Sequence, residues 1–457
     1  MTPLAGMKTA RRRTTAAQPE LLVFPGQPGW DDARRAWNLA VDQRPAAIAL
    51  PESVDDVVAA VDHARTLGLQ VAVQGTGHGA GSTSLEGTLL INTARMFGVE
   101  VEPAARVARV AAGTVWTDVV EAAVEHGLTA LHGSAGDVGV VGYSLGGGIG
   151  WLARKHGLAS STIVSAEVVT ADGEIVRADR ESNADLLWAL QGGGGSFGVV
   201  TELEVALFPV TEAFAGWLIW PLERASEVLA GWAEWTSSVP EEITSVGRLL
   251  QLPPLPELPE PLRGRQLAVV EAAYLGDERS GRELLAPLLE LAPEIDSFAT
   301  VPARALTELH QDPPAPVPAR GEGWMLDAFD RRIADVLVDA AAMDGSSPLL
   351  SVEIRQLGGA LGRPDPNGGV LSHLEAPYAM YSLGPAPGPE AVEAVDERIA
   401  RVRTATEPWL ARQRYHNFAE RDVDPVSFYV EGDYRRLAEI RERVDPDGVF
   451  RAKHTIV

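Results

Sequence analysis

Residues 71–82 read Val-Ala-Val-Gln-Gly-Thr-Gly-His-Gly-Ala-Gly-Ser, a short β-type run that feeds a loop with glycine at every second position. Glycine lets the chain adopt positive φ and brings backbone N–H groups close to a ligand. Successive N–H groups in such a loop form a concavity that binds anions. The loop therefore indicates a phosphate cradle with the His78 imidazole over the same ligand. A glycine-rich surface turn with an incidental histidine is the alternative interpretation of this stretch alone.

The loop does not fit the dinucleotide-binding pattern Gly-x-Gly-x-x-Gly. That pattern requires a helix directly behind the glycines. Here residues 81–87 read as a turn and residues 89–92 as a strand. An NAD-dependent enzyme is therefore not predicted.

Composition and charge limit the partners. The chain has 457 residues, a formal net charge of −24 and no cysteine. This length suggests two or more domains. Nucleic acids and anionic membranes both attract clusters of Lys and Arg, so we expect neither as a partner. Without cysteine there are no disulfides, thiolate metal ligands or cysteine nucleophiles, and we predict no metal site.

The N-terminal residues resemble no export signal. The basic run at 8–13 is followed by a polar stretch rather than an apolar h-region. No run approaches the ~18 apolar residues that span a bilayer. We therefore expect a soluble, cytoplasmic protein.

Helix and strand patterns alternate before the histidine loop. We predict a helix over 30–41, a strand over 45–51, a helix over 53–67 with Ser53 as its N-cap, and a strand over 69–73. This βαβ pattern places the loop at the carboxyl end of a strand, where α/β folds usually bind ligands.

A second glycine-rich stretch covers residues 133–150, where eight of 18 residues are glycine. Neither helix nor strand is expected there, because glycine weakens both. The interspersed apolar residues disfavour a flexible linker, so this backbone is predicted to pack against a flat or anionic group. A hairpin with strands over 163–170 and 175–178 follows, and a third glycine cluster at 192–198 precedes a strand over 199–207.

Residues 211–410 differ in character. Predicted strands at 214–220, 267–275, 324–329, 350–357 and 378–383 alternate with predicted helices at 224–236, 281–291, 334–342 and 389–404. We expect a second α+β domain, with an antiparallel sheet covered on one face.

Six motifs occur in order along the chain. They are Gly-Thr-Gly-His-Gly at 75–79, Gly-Gly-Gly-Ile-Gly at 146–150, Gly-Gly-Gly-Gly-Ser-Phe-Gly-Val-Val-Thr at 192–201, Glu-Ile-Arg-Gln-Leu-Gly-Gly-Ala at 353–360, Tyr-x-Asn-Phe at 415–418 and Asp-Pro-Asp-Gly-Val-Phe-Arg at 445–451. In this order and spacing the chain resembles FAD-linked oxidases of the vanillyl-alcohol-oxidase (p-cresol methylhydroxylase) fold, in the berberine-bridge-enzyme-like branch.

The resemblance implies an α+β protein. It has a two-part FAD-binding domain of the vanillyl-alcohol-oxidase type and an inserted α+β substrate domain built on an antiparallel sheet. The implied divisions are a disordered N-terminal tail at 1–21, the FAD-binding domain at 22–210, the substrate domain at 211–410, and a C-terminal segment at 411–457 that returns to the FAD-binding domain.

The implied cofactor is FAD, held by backbone N–H groups of the glycine loops. His78 matches the family's histidine that is bonded to the flavin 8α-methyl carbon. The chain lacks a cysteine for the second tether found in many members, so it resembles the singly tethered bacterial subgroup. The other residues implied to contact FAD are Gly75, Thr76, Gly77, Gly79, Ala80, Ser82, Gly136, Asp137, Val138, Val140, Gly142, Tyr143, Gly146, Gly147, Gly148, Gly150, Val200 and Asn417.

The resemblance also implies catalytic residues for a hydride transfer to flavin coupled to removal of a proton. Tyr415 matches the tyrosine of the Tyr-x-Asn motif, a base or orienting group. A tyrosine base needs its pKa lowered from ~10, and we expect Arg355 to supply the positive charge. Gln356 is expected to bind the substrate hydroxyl, and Tyr143 replaces a common family histidine near the pyrimidine edge of the flavin.

The predicted function is oxidation of an alcohol or amine carbon of a small metabolite by FAD, with O2 reduced to H2O2. Val138 falls where the family gates oxygen, and its small side chain favours an oxidase. The alternatives are a dehydrogenase with another acceptor and a flavin-binding protein without turnover. Sugar, lactol, alkaloid-like amine and polyketide alcohol substrates stay open, as does the choice between monomer and homodimer.

Overall fold

The computed structural model describes residues 9–11, 21–81, 83–256 and 260–457. Its strands, in chain order, are β1 Thr9–Arg11, β2 Leu22–Val23, β3 Ala47–Ala49, β4 Gln70–Gln74, β5 Thr88–Asn92, β6 Val99–Glu102, β7 Val107–Ala111, β8 Ile163–Val169, β9 Ile175–Ala178, β10 Val199–Ala206, β11 Glu212–Pro221, β12 Ile243–Gln251, β13 Gln266–Tyr274, β14 Ile295–Asp296, β15 Ala299–Pro302, β16 Ala319–Leu326, β17 Ser351–Gln356 and β18 Tyr378–Pro385.

The α-helices are α1 Trp30–Ala33, α2 Val54–Leu67, α3 Trp116–Val124, α4 Val140–Leu145, α5 Ala153–His156, α6 Ala184–Leu190, α7 Ala225–Thr236, α8 Glu278–Leu289, α9 Arg331–Ala341, α10 Pro389–Thr406 and α11 Glu431–Val444. Within the described part of the chain, none combines the length and the apolar character that crossing a bilayer requires.

The strands form three sheets. A four-stranded sheet has the order β2-β3-β5-β4, in which β3, β5 and β4 run parallel. A six-stranded antiparallel sheet has the order β1-β9-β8-β10-β7-β6. The third sheet is antiparallel with the order β14-β11-β13-β12-β17-β18-β16, and β15 pairs with β11 outside this order. The predicted α+β class is confirmed.

Local capping sets up the strand that leads to the histidine loop. The Ser53 side chain accepts the Asp56 N–H, and the Asp56 carboxylate accepts the Ser53 N–H, which forms a capping box at the start of α2. Gly68 ends the helix in the left-handed conformation. The chain then enters β4, so the predicted helix over 53–67 and the strand after it are confirmed.

The C-terminal segment contacts the edge of β4. Val71 N–H donates to Val449 O at 2.7 Å, and Arg451 N–H donates to Val71 O at 2.8 Å. Phe450, between them, is buried. The Asp445 carboxylate accepts the N–H groups of Val449 and Phe450 and holds this turn. The segment thus packs beside the histidine loop's own strand, while the domain boundaries stay predictions.

The third sheet has two different faces. Helices α7 and α9 cover one face with buried apolar side chains such as Trp232 and Ile333. The other face contacts the N-terminal half of the chain, where Val246 of β12 packs near Trp151. The buried charged side chains of Arg248 in β12, Glu271 in β13 and Glu353 in β17 lie on this second face.

A buried arginine joins the two halves. Arg154 of α5 donates from Nε to Leu357 O at 2.8 Å and from Nη1 to Pro240 O at 3.0 Å and Ile243 O at 2.5 Å. Burial lowers the pKa of this guanidinium. Three carbonyl acceptors satisfy the buried charge, which fixes α5 against the third sheet.

The predicted helix over 30–41 is wrong beyond Ala33, where α1 ends. Trp37 N–H donates to Thr76 O at 3.1 Å, and Asn38 forms a β-bridge with Val317. These long-range hydrogen bonds use backbone groups that a helix would have used within itself. Residues 1–8 and 12–20 of the predicted tail lie outside the described residues, and Thr9–Arg11 pair with β9.

One further prediction about an element was wrong, and one strand was missed. The stretch 133–150 contains the short helix α4, in which Gly142 is the only interior glycine. Strand β12 was not predicted, because Gly247 and Arg248 interrupt its apolar pattern. A Cβ on Gly247 would lie 2.9 Å from Trp232 Cε3, so the glycine allows α7 to pack on the strand.

Candidate active site

The histidine loop begins where β4 ends. Gly77 has φ +84°, and a Cβ there would lie 2.7 Å from Ala36 Cα. Glycine is therefore required by both conformation and space. The tight approach brings residues 36–37 against the loop and directly beside His78.

Three residues contact the His78 imidazole. The Trp37 ring stacks on it with centroids 4.4 Å apart and an interplanar angle of 24°. Thr76 Oγ1 lies 2.8 Å from Nδ1, and Asp137 Oδ1 lies 3.4 Å from Nε2. The other Asp137 oxygen accepts the Trp37 Nε1–H at 2.7 Å. Nε2 is buried, and among the described residues the Asp137 carboxylate is the polar group beside it.

The second glycine loop adjoins the first. The carbonyls of Gly136 and Val138 accept the N–H groups of the first two residues of α3, at 2.8 and 3.1 Å. These bonds hold Asp137 between them toward His78. A Cβ on Gly139 would lie 3.6 Å from Thr76 Cγ2, so the two loops are in near contact where α4 begins.

Helix α4 leads from the histidine loop to Tyr415. Asn417 Nδ2 donates to the Tyr143 carbonyl at 3.0 Å and to the Tyr415 hydroxyl at 3.2 Å. The same hydroxyl accepts the Gly148 N–H at 3.0 Å. The Tyr143 hydroxyl is buried and lacks a partner within the described chain. The structure thus brings together the predicted residues Tyr143, Tyr415 and Asn417.

The glycines of 146–150 face protein groups. A Cβ on Gly146 would lie 1.8 Å from Asn417 Oδ1, and one on Gly148 would lie 2.5 Å from Tyr143 Cε1. The same crowding occurs against Tyr415 at Gly147 and against the His132 carbonyl at Gly150. This run is therefore a close-packed platform beneath the tyrosines, and its contacts with the cofactor stay a prediction.

Arg355 and Gln356 point to opposite faces of β17, as neighbours in a strand must. Arg355 donates to Ser134 Oγ at 3.3 Å, and its guanidinium lies 5.2 Å from the centre of the Phe418 ring. Gln356 instead accepts the Ser245 hydroxyl at 2.8 Å and donates to Thr236 O beneath α7. Its contact with the substrate stays a prediction, and in this arrangement the sheet lies between Gln356 and Tyr415.

Arg355 is the last member of a row of buried ion pairs, which was not predicted from the sequence. His310 lies between two carboxylates, with Nδ1 2.5 Å from Glu271 and Nε2 2.7 Å from Glu353. Arg248 pairs with Glu271 at 2.9 Å and Arg355 pairs with Glu353 at 2.8 Å. The one available signal was Glu271, a charge within an otherwise apolar strand.

Burial controls the proton on the site tyrosines. It raises the pKa of Tyr415, and the hydrogen bonds from Asn417 and Gly148 and the charge of Arg355 offset this only in part. Burial, then the nearby Tyr415, also raises the pKa of Tyr143 well above its usual value. Arg355 supplies the expected positive charge near Tyr415, but burial outweighs it and the pKa of Tyr415 is raised, so both phenols are protonated at neutral pH.

The remaining predicted cofactor residues differ in exposure. Gly75, Ala80 and Val140 are half-buried or buried beside the loops, whereas Gly79 and Gly142 are exposed. Val200 is buried in β10 opposite Val168, so its side chain belongs to the sheet core rather than to the loops. Ser82 lies outside the described residues.

A flavin fits this donor set. His78 presents a buried nitrogen that makes no hydrogen bond within the described chain, Tyr143 presents a buried hydroxyl that makes none there, and both adjoin partly exposed glycine loops. The loops at 75–81 and 134–139 would hold FAD through backbone N–H groups, and Asp137 and Thr76 would flank the His78 nitrogens. The fold and this site together define an FAD-binding oxidoreductase.

Two protein-family models match the chain. One is an FAD binding domain over residues 45–179, and the other is the berberine and berberine-like family over residues 414–457. The chain therefore contains an FAD binding domain and a berberine-like C-terminal segment, and the resemblance noted from the six motifs is confirmed.

Named relatives agree with this family. Glucooligosaccharide oxidase of Sarocladium strictum is 36% identical over 47% of this chain and 45% of that protein. (R)-6-hydroxynicotine oxidase of Paenarthrobacter nicotinovorans is 34% identical over 48% of this chain and 45% of that protein. The chain therefore aligns with about half the length of these two relatives. An FAD-linked oxidoreductase of Dictyostelium discoideum is 25% identical over 92% of this chain and 90% of its own length.

Solved structures share the whole architecture. Wild-type Physcomitrella patens BBE-like 1 has a TM-score of 0.82 at 21% identity, over 95% of this chain and 96% of that chain. Wild-type Phl p 4.0202, described as a glucose dehydrogenase, has a TM-score of 0.81 at 19% identity, over 96% of this chain and 97% of that chain. At these identities the likeness establishes the fold.

Proposed function

We propose that this protein is an FAD-dependent oxidase that removes a hydride from an alcohol carbon of a small, uncharged metabolite. The flavin is bonded to His78 and is reoxidised by O2, which yields H2O2. The observation that carries the proposal is the convergence of Tyr415, Tyr143 and Arg355 at a platform that α4 connects to the His78 loop. A glucooligosaccharide oxidase among the relatives supports an alcohol substrate.

The charges of the site favour an uncharged substrate over an ammonium. Arg248, His310 and Arg355 carry three positive charges, since the pKa of His310 is raised to about 9. Three carboxylates balance them, namely Glu271, Glu353 and Asp312, the last of which accepts the Ser134 hydroxyl. These six groups sum to zero charge, and Arg355 is the one that lies nearest to Tyr415. Such a surface does not attract a cation, so hydroxyl groups are its preferred ligands.

The Tyr415 hydroxyl forms a hydrogen bond with the substrate. Both of its lone pairs accept hydrogen bonds from the protein, so its O–H is the group left to bind a substrate oxygen. As pH rises, the two donors and Arg355 stabilise the phenolate, which can then accept the substrate hydroxyl proton. FAD, when bound, supplies the hydride acceptor.

The electron acceptor is a separate question. Val138 is half-buried beside α3 and has a small side chain, which favours access of O2. A dehydrogenase is the second candidate, because Phl p 4.0202 shares this fold and is described as a glucose dehydrogenase. Oxygen consumption with equimolar H2O2 supports the oxidase, and turnover with only an artificial acceptor supports the dehydrogenase.

The first experiments test the flavin linkage and the substrate class one after the other. The visible spectrum is recorded for the purified protein, and then for pellet and supernatant after acid precipitation. Yellow colour in the pellet is expected for a flavin bonded to His78, and His78→Ala should move that colour to the supernatant. Oligosaccharides, simple alcohols and amines are then compared in an oxygen electrode. Turnover of amines alone would contradict the proposed alcohol substrate.

A further inference from the structure

A proline-rich strap at residues 311–318 runs between the row of ion pairs and the histidine loop. It begins directly after His310, and near its other end Val317 O accepts the Leu39 N–H at 3.0 Å. Leu39 lies two residues beyond Trp37, whose ring stacks on the histidine-loop imidazole. Four of the eight strap residues are proline, and each proline fixes its own φ. The strap is therefore a stiff segment that is tied to the rest of the protein at its far end.

One charged side chain of the strap contacts the site. Asp312 is half-buried, and its Oδ2 accepts the Ser134 hydroxyl at 3.3 Å. The Ser134 oxygen in turn accepts Arg355 Nη2–H, also at 3.3 Å. A hydroxyl group thus lies between a guanidinium and a carboxylate, because it is at once an acceptor for the first and a donor for the second.

Both charged partners of Ser134 keep unused hydrogen-bonding capacity. Arg355 donates from Nε to Glu353 and from Nη2 to Ser134, which leaves Nη1 without an acceptor among the described residues. Within the same part of the chain, Asp312 Oδ1 accepts no hydrogen bond. The Arg355 side chain keeps 13% of its surface exposed, so a ligand can reach it. The pair therefore offers a second hydroxyl the same donor and acceptor that Ser134 uses.

Phe418 connects this pair to Tyr415. The Arg355 guanidinium lies 5.2 Å from the centre of the Phe418 ring, and the Tyr415 ring packs edge-on against the same ring with centroids 5.1 Å apart. A substrate whose reacting hydroxyl is bound by Tyr415 can therefore present another of its hydroxyl groups to Arg355 and Asp312.

We propose that Asp312 and Arg355 form a subsite for a second hydroxyl group of the substrate, and that Asp312 makes the enzyme prefer polyhydroxylated compounds to simple alcohols. This inference rests on the proposed oxidation of an alcohol. The bound hydroxyl accepts a hydrogen bond from Arg355 Nη1 and donates one to Asp312 Oδ1. Both bonds involve a charged group, which makes them stronger than bonds between neutral groups.

The test uses uncharged alcohols built on one carbon ring, namely cyclohexanol, the isomeric cyclohexanediols and myo-inositol. Dissociation constants are measured by calorimetry with the FAD-loaded enzyme under argon, so that turnover does not interfere. Wild type should bind the best polyol about 10- to 100-fold more tightly than cyclohexanol, the range for a hydrogen bond to a charged group. Asp312→Ala should bring this ratio close to unity. Asp312→Asn keeps a neutral acceptor and should give an intermediate ratio.

A control variant and the ratio itself separate binding from a structural role. Glu308→Ala removes an exposed acid four residues before Asp312 and should keep the wild-type ratio. If Asp312→Ala weakened cyclohexanol and the polyols in parallel, Asp312 would only anchor the strap and the inference would be overturned. Equal affinities in wild type would also overturn it, while alcohol oxidation in the oxygen electrode would still support the proposed function. Absence of turnover with every alcohol would overturn that function, and the inference with it.

Discussion

Asn417 Nδ2 donates to the Tyr415 hydroxyl at 3.2 Å, two residues away along the chain. Gly148 N–H supplies a second donor to the same oxygen. Burial nevertheless dominates and keeps the pKa of Tyr415 raised. The hydroxyl is therefore a hydrogen-bond donor at neutral pH, and it gains the capacity to accept a proton only as pH rises.

Replacing Tyr415 by Phe should reduce kcat by about 10²- to 10⁴-fold, the range for loss of a positioned acid–base group. Flavin content should be retained, because the ring still packs on Phe418. Stopped-flow reduction of the flavin measures the step directly. Tyr274→Phe, at the end of β13, is the matched control, and wild-type reduction in Tyr415→Phe would exclude the assigned role.

The kcat/KM of the wild type should rise with pH from about 7 to about 9, because the phenolate fraction of Tyr415 grows as its raised pKa is approached. Arg355→Met removes a charge that lowers this pKa. Activity at a given pH should then fall by about tenfold, which corresponds to one pKa unit. Arg363→Met, an exposed arginine paired with Glu241, is the control, and an unshifted profile in Arg355→Met would contradict the coupling.

Gln356→Leu should affect stability rather than chemistry. The change leaves Ser245 Oγ and Thr236 O without their partner beneath α7, at a cost of about 1–3 kcal/mol. Thermal unfolding should show a lower Tm, and kcat/KM per mole of folded enzyme should equal the wild type. An unchanged Tm with lost activity would restore Gln356 as a substrate ligand.

The stability of the protein should decrease as pH rises through the pKa of His310. Burial and Arg248 lower this pKa, but Glu271, Asp312 and Glu353 outweigh them and raise it to about 9. A pKa above its unfolded value of 6.5 gives stabilisation that is complete below pH 6.5 and lost toward pH 9. The free energy of unfolding should fall by on the order of 3 kcal/mol across this range.

Denaturant unfolding at several pH values measures this effect. His310→Gln should remove the pH dependence and lower stability by about 3–5 kcal/mol, because two buried glutamates each lose one of their two cationic partners. His126→Gln, at an exposed position after α3, should leave the slope intact. A wild type equally stable at both ends of the range would contradict a charged His310.

Val138→Ile should slow reoxidation by O2 by about tenfold, the effect of one added methylene in a close-fitting space. Turnover with an artificial acceptor should be unchanged. The two rates are measured on the same preparation, by oxygen electrode and by dye reduction. Parallel loss of both rates would point to a packing defect, and no loss of either would remove Val138 from the path of O2.

Much of the fold was predictable from local patterns. The capping residues of α2, the alternation of strands and helices in 211–410 and the six ordered motifs all depend on neighbours in sequence. The predicted helix over 30–41 failed where Trp37 and Asn38 form hydrogen bonds to distant residues. Strand β12 was missed because Gly247 interrupts its apolar pattern. This glycine is explained by the packing of Trp232 of α7 against the strand, which is a contact between residues distant in sequence.

The sequence by itself determined the family resemblance, the FAD binding domain and the absence of a cysteine tether, because these depend on which residues occur and in what order. Tertiary structure decided which side of β17 faces Tyr415, that His310 lies between two glutamates, and that Asp137 faces His78. It also decided that the pKa of Tyr415 is raised by burial. Burial and the approach of distant strands set each of these, and both arise only when the chain is folded.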